Sequence, residues 1–303
     1  MTTPRHRLVD SQTPLFYHLV SRCVRHGWLC GYDQVRRKDY SHRKKWIVDR
    51  IHQLGQAFAV EIHAYAVMSN HFHLVVYYDP TANQSWDDEE VVDRWLSFCF
   101  LGRQPEAVRQ QAIFEARKRL LEDPNRISRL RDTLGSLSMF MKHLKQPIAR
   151  RANLEDETTG NFFDRRYYSG ALLNQEAVLA AMAYVDLNPI RAKIARTLEE
   201  SAHTSVHERL TQTGINAPPE KSLAPLATGL TPDIRIHTST EYYLTHLHAL
   251  TTYTRQEENH KLKRWRAHVA LLKRRQRVFG SMTEIRAWVS SRGLQPRDKP
   301  LMG

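Results

Sequence analysis

The chain of 303 residues carries 45 Lys and Arg against 32 Asp and Glu, a formal net charge of +13 that calls for an acidic partner, of which nucleic acid is the commonest. Hydrophobic residues make up 41% and charged residues 25%, which excludes a disordered polyelectrolyte and supplies a core for one large domain or two modest ones. No stretch approaches the roughly 18 apolar residues of a membrane span, the first ten residues lack the apolar run of a signal peptide, and Cys23, Cys30 and Cys99 have no CxxC spacing, so the expected setting is a reducing cytoplasm with no disulfide framework and no thiolate zinc site.

In chain order, the β-branched and aromatic run from Leu15 to Cys23 follows Pro14 and predicts a first strand. Ser41 is the expected cap of an amphipathic helix from His42 to about Phe58, with Trp46, Ile47, Ile51 and Leu54 at helical spacing. Two β-like runs, 57–68 and 71–78, flank a polar Ser69-Asn70 break and predict an antiparallel pair. From about 81 to 132 the chain changes character and predicts a helical insertion. A helix over 134–151 carries Leu137, Phe140, Met141, Leu144 and Ile148 on one side, with Pro147 expected to kink or shorten it. A last strand over 171–173 and a helix capped by Asn174 follow, the helix running to about Leu187 and stopped by Asn188-Pro189. Beyond about 205 a Pro-containing linker leads to a basic helical segment over 240–279. This order predicts an α+β protein, an antiparallel sheet with packed helices, in two parts: 1–205 with its insertion, and 206–303 as linker and basic helical extension.

Two motifs carry chemistry. In His71-Phe72-His73, residues two apart in a strand point to one face, so both imidazoles project together and can hold a divalent metal with positions left for a phosphate oxygen. The bland reading is two polar surface histidines. In Tyr184-Val-Asp-Leu-Asn188-Pro189, Tyr184 and Asn188 lie one helical turn apart and offer a phenol and an amide to one site. Here the bland reading is a core tyrosine with its hydroxyl at the rim and an Asn that ends a helix.

Together the motifs resemble a known family. The run 66–75, Ala-Val-Met-Ser-Asn-His-Phe-His-Leu-Val, is similar to the histidine-hydrophobe-histidine strand of the single-tyrosine HUH transposases. Tyr184-Val-Asp-Leu-Asn-Pro-Ile-Arg-Ala192 resembles their tyrosine helix in the form found in REP-associated tyrosine transposases, and the similarity extends in order over roughly 12–205. The resemblance implies a ferredoxin-like catalytic domain and a nuclease and strand transferase acting on single-stranded, hairpin-forming DNA. It further implies Mg²⁺ or Mn²⁺ on His71 and His73, Asn188 in the place of a third ligand, and Tyr184 as the nucleophile that forms a 5′-phosphotyrosine link and frees a 3′-hydroxyl. One departure stands out: the family's Gly-Arg-aromatic run reads Arg165-Arg166-Tyr167 here, so an arginine replaces the glycine.

The expected DNA contacts are Arg43 and Lys44, then Arg165, Arg166 and Tyr167, then Lys261, Lys263, Arg264, Arg266, Lys273, Arg274 and Arg275. Solvated helix faces are the alternative for each cluster, and Leu262, Trp265, Val269 and Leu272 can equally dock the last basic helix on the main domain. The competing functional reading is a DNA- or RNA-binding regulator that keeps the fold and does not cut. A histidine-ligated zinc hydrolase ranks below both, because the chain has no HExxH pattern. Monomer and homodimer both remain open.

Overall fold

The computed structural model describes residues 3–24, 29–99, 105–164, 166–212, 238–252 and 260–295. Strand β1 (Leu15–Arg22) is followed by a small hairpin, β2 (Tyr32–Asp33) and β3 (Lys38–Asp39), and by α1 (His42–Ala57). Next come β4 (Val60–Val67) and β5 (His71–Tyr78), then α2 (Asp88–Cys99), α3 (Glu106–Leu121), α4 (Pro124–Leu134) and α5 (Leu137–Glu155). Strand β6 (Tyr168–Leu172) leads to α6 (Gln175–Asp186), the single turn α7 (Asn188–Arg191) and α8 (Ser205–Gln212). The chain closes with α9 (Thr240–Thr252), α10 (His260–Leu271), β7 (Val278–Phe279) and α11 (Met282–Ser291). Among the described residues no helix is long and apolar enough to cross a membrane.

The main sheet has the order β4-β5-β1-β6-β7. Its first four strands are antiparallel throughout, with α1 connecting β1 to β4 and α5 preceding β6, which is the ferredoxin-like split βαβ arrangement of an α+β protein. The sheet is nevertheless mixed, because β7 adds parallel to β6, Ala171 opposite Val278 and Leu172 opposite Phe279. The expected last strand is therefore not the last. The expected boundary at 205/206 is crossed by this pairing and by α10, which packs on α6.

Register sorts the side chains into two faces. Val20 stands opposite His73, Arg22 opposite His71, and Tyr168 opposite Val20, so these residues and His18 share one face, which α6 covers. The other face carries Tyr17, Leu19, Phe72, Leu74 and Val76, all buried; α1 packs on β4 and α5 on α1.

Local chemistry explains where the elements begin and end. Asn174 caps α6 as expected, its side chain accepting the Ala177 N–H at 2.9 Å, whereas Ser41 does not cap α1. Ser41 is already helical and its own N–H donates to the Asp39 carboxylate at 2.9 Å. Pro147 neither shortens nor interrupts α5; the His143 carbonyl, which loses its donor four residues on, accepts Arg50 Nε at 3.2 Å instead. Pro189 likewise continues the chain as the first turn of α7, where its missing N–H costs nothing.

Arg43, expected on a DNA-facing surface, is fully buried. Helical periodicity puts it above Ile47, Ile51 and Leu54 on the inner face of α1, where its guanidinium donates to Glu155 at 2.9 Å, to Asp156 at 2.5 Å and to the Leu29 carbonyl at 3.2 Å while lying over the Tyr40 ring. Burial works against its charge, but the two carboxylates more than offset this and hold its pKa above the ordinary arginine value. Replacing Arg43 by alanine leaves Asp156, whose side chain is 4% exposed, with only the more distant Arg36 at 4.0 Å, and is expected to cost about 3 kcal/mol of unfolding free energy, read from the midpoint of urea denaturation.

Candidate active site on the histidine face of the sheet

The site is built on neighbouring strands and one helix. Antiparallel pairing of β1 and β5 sets His18 beside His73, with Nε2 of His18 and Nδ1 of His73 3.0 Å apart and the rings stacked at 5.2 Å. His71 stands at the mouth of the face, its ring centroid 4.8 Å from that of His73 and its Nδ1 2.6 Å from Asn70 Oδ1. From above, α6 lowers Tyr184 onto this surface, its ring 5.5 Å from His73 and 5.7 Å from His18. One turn on, Asn188 brings its amide to 3.2 Å from His73 Nε2. The four residues singled out from sequence, His71, His73, Tyr184 and Asn188, thus converge.

His18 belongs with them and was not anticipated. It is 1% exposed, and burial together with Arg275 pushes its pKa down to about 3. His73 is also buried and lies well below the usual imidazole value, through burial first and then through His18, His71 and the arginines nearby. Both rings are therefore neutral at neutral pH, which leaves nitrogen lone pairs in place. When His73 Nδ1–H donates to His18 Nε2, the unprotonated nitrogen of His73 is Nε2, the one beside Asn188. In the same way an Nδ1–H donated to Asn70 leaves the lone pair of His71 on Nε2.

A divalent metal is compatible with this donor set. The 3.2 Å between Asn188 and His73 Nε2 is near the separation of adjacent ligands around an octahedral ion with bonds of about 2.1 Å. A half-turn of the amide puts Oδ1 rather than Nδ2 in that place. Among the described residues no three His, Cys, Asp or Glu side chains gather as a metal-binding group.

Three arginines surround the cluster. The Arg191 guanidinium lies 5.1 Å over the Tyr184 ring. Arg275, at a left-handed φ of 52°, is within electrostatic reach of Tyr184, Tyr168, His18 and His73. Arg22 projects from β1 on the same face beside His71, with a buried Nε that has no hydrogen-bond partner. Of these, only Arg275 was singled out from sequence.

The helix that carries Tyr184 is pinned from behind. Asp186 is wholly buried and accepts hydrogen bonds from the Tyr243 hydroxyl at 2.7 Å, from the Val206 N–H at 3.0 Å and from the Ser205 hydroxyl, with Arg209 3.7 Å away. Burial raises its pKa despite Arg209. Tyr184 therefore sits on a rigid element tied to α8 and α9. At the far edge, Gly170 stands opposite His18, and the Tyr168 hydroxyl crosses it to donate to the Gln276 carbonyl; a Cβ there would collide with that hydroxyl.

The remaining expected DNA contacts are dispersed. Lys44 is half-buried, with its pKa lowered by burial, and Arg166 is exposed near the Thr3 carbonyl. Tyr167 has one face taken by Arg5, whose Cζ sits 3.8 Å from the ring centroid. Arg264 pairs with Glu176 at 2.5 Å, while Lys263, Arg266, Lys273 and Arg274 are exposed. Leu262, Val269 and Leu272 are buried, so α10 is docked with its basic side outward. Arg165 and the side chain of Lys261 lie outside the described residues.

No family model and no curated protein matches the chain. A solved structure of a REP-associated tyrosine transposase bound to a REP hairpin is similar to it at 11% identity and a TM-score of 0.40, covering 78% of this chain and all of the other. A likeness of that size carries no argument, so the functional reading rests on the residues themselves.

Proposed function

We propose that the protein is a metal-dependent nuclease and strand transferase for single-stranded, hairpin-forming DNA, with Tyr184 as its nucleophile. The observation that carries this reading is the convergence of Tyr184, His71, His73 and Asn188, from two motifs more than a hundred positions apart, on one arginine-ringed surface. Imidazoles, an amide and a phenol within one small area are the groups that phosphodiester transesterification needs. Tyr184 Oη attacks phosphorus, the P–O3′ bond breaks, and the departing 3′ oxygen takes up a proton, leaving a 5′-phosphotyrosine and a free 3′-hydroxyl. The bond energy stays in the covalent link, so attack by a 3′-hydroxyl reverses the step and rejoins a strand. Arg22, Arg191 and Arg275 are placed to hold phosphate oxygens. Mg²⁺ or Mn²⁺ on His71, His73 and Asn188 would supply Lewis-acid stabilisation of the charge that develops on those oxygens.

The test is incubation of end-labelled single-stranded hairpin oligonucleotides, repeats from the sequence flanking the coding region among them, with Mg²⁺, Mn²⁺ or EDTA. The proposal expects strand cleavage with either metal and none with EDTA. Tight, salt-sensitive binding without cleavage on every hairpin would instead support the second reading, a nucleic-acid-binding regulator, which the net charge of +13 alone also favours.

A further inference from the structure

A groove of about 580 Å³ opens between α7, α9 and α10, beside the tyrosine helix. Its floor is apolar, formed in part by Leu187, Ile190 and Val269, and Arg191, Lys263 and Arg266 line it as its charged residues. Among the described residues that line it there is no carboxylate. Arg191 belongs to two places at once, lining the groove and lying over the Tyr184 ring, so the groove adjoins the site. The volume falls within the roughly 300–1,000 Å³ of pockets that take one small organic group.

We infer that this groove is a subsite for one nucleotide of the single strand, adjoining the phosphate that Tyr184 attacks. The inference rests on the reading of Tyr184 given above and adds where the strand runs next. The charge pattern fits one occupant: a group with an apolar plate and an anionic edge, which describes a base and its phosphate. A base laid on Leu187, Ile190 and Val269 buries apolar surface without a stacking aromatic, so the subsite tolerates any base. Lys263 and Arg266 then meet the phosphate on the outer side and Arg191 the one towards Tyr184. This gives the outward basic side of α10 a specific task.

Binding of two fluorescent oligonucleotides of about 20 nucleotides, one oligothymidylate and one wholly abasic, tests the inference by anisotropy across a salt series. Two variants are compared with the natural protein: Lys263→Ala with Arg266→Ala, and Ala267→Trp, which fills the groove from its lining without altering charge. With a single-strand slope of about 0.7 per phosphate neutralised, losing the one phosphate that Lys263 and Arg266 share should weaken oligothymidylate binding by about 5-fold at about 0.1 M salt and make the log–log salt dependence shallower by about 0.7. Ala267→Trp should weaken oligothymidylate binding and leave the salt slope and the abasic strand unchanged. Equal affinities of both variants and the natural protein for oligothymidylate, or no binding by any of them, would overturn the subsite. Covalent adduct formation by the natural protein on a hairpin substrate is followed in parallel. Adduct with unchanged variant binding rejects the groove alone, whereas groove-dependent binding without any adduct rejects the nuclease reading and leaves the groove as a nucleic-acid site.

Discussion

Tyr184→Phe is expected to abolish covalent attachment to DNA and strand cleavage while leaving DNA binding near normal. The substitution removes one oxygen and keeps the ring, so the edge contacts with His18 and His73 and the Arg191 guanidinium above the ring all persist. Loss of a nucleophile that works as a unit with its neighbours costs on the order of 10⁶ in rate. The loss of a half-buried hydroxyl should change stability by no more than about 1 kcal/mol. A denaturing gel for adduct and a thermal melt on the same protein separate the two effects. Cleavage retained by the phenylalanine variant would sink the nucleophile assignment.

His71→Ala is expected to lower metal-dependent cleavage by roughly a thousandfold, about 4 kcal/mol of transition-state stabilisation. His71 is the better choice than His73 because it opens β5 at the mouth of the face and is only half-buried, whereas His73 is buried against both His18 and Asn188. A readout independent of turnover is the binding of Mn²⁺ followed by the decline of its free-ion electron paramagnetic resonance signal. The natural protein should bind one ion and the variant should bind it much more weakly. Equal Mn²⁺ binding by both proteins would remove His71 from the ligand set even if cleavage were lost.

Much of the scaffold was legible because its signals are local. The β-branched and aromatic runs at 15–23 and 71–78, the helical spacing in α1 and α5 and the Asn174 cap each act within one element; the two strands, α1 and α6 formed close to their expected limits, whereas α5, expected over 134–151, runs from Leu137 to Glu155. The strand expected from 57 begins at Val60 because Ala57 still closes α1 and Phe58 caps it. Strand β7 was not legible: two residues carry no alternation, and its pairing with β6 spans a hundred positions.

The same distinction runs through the site. His71 and His73 share a face by strand geometry alone, and Tyr184 and Asn188 by helix geometry, so sequence spacing sufficed within each pair. His18 was missed because a lone histidine in a strand gains meaning only from cross-strand register, which no spacing within its own run reveals. Arg22 and Arg191 were missed likewise. Arg43 was misassigned because the run Arg43-Lys44-Lys45 was weighed as charge, while its position four before Ile47 and eight before Ile51 already marked the inner face of α1. The cationic run near the C-terminus hid a similar division, with Arg275 turned to the histidine face and Lys263 and Arg266 lining the adjoining groove.

The central claim is that Tyr184 becomes covalently joined to a DNA strand. Its most direct test is to trap the adduct on a single-stranded hairpin with Mn²⁺, digest both protein and DNA, and locate the residual nucleotide by tandem mass spectrometry. The expected result is a 5′-phosphonucleotide on Tyr184 and on no other residue. A nucleotide attached elsewhere, or cleavage products with free 5′ ends and no peptide adduct, would contradict it.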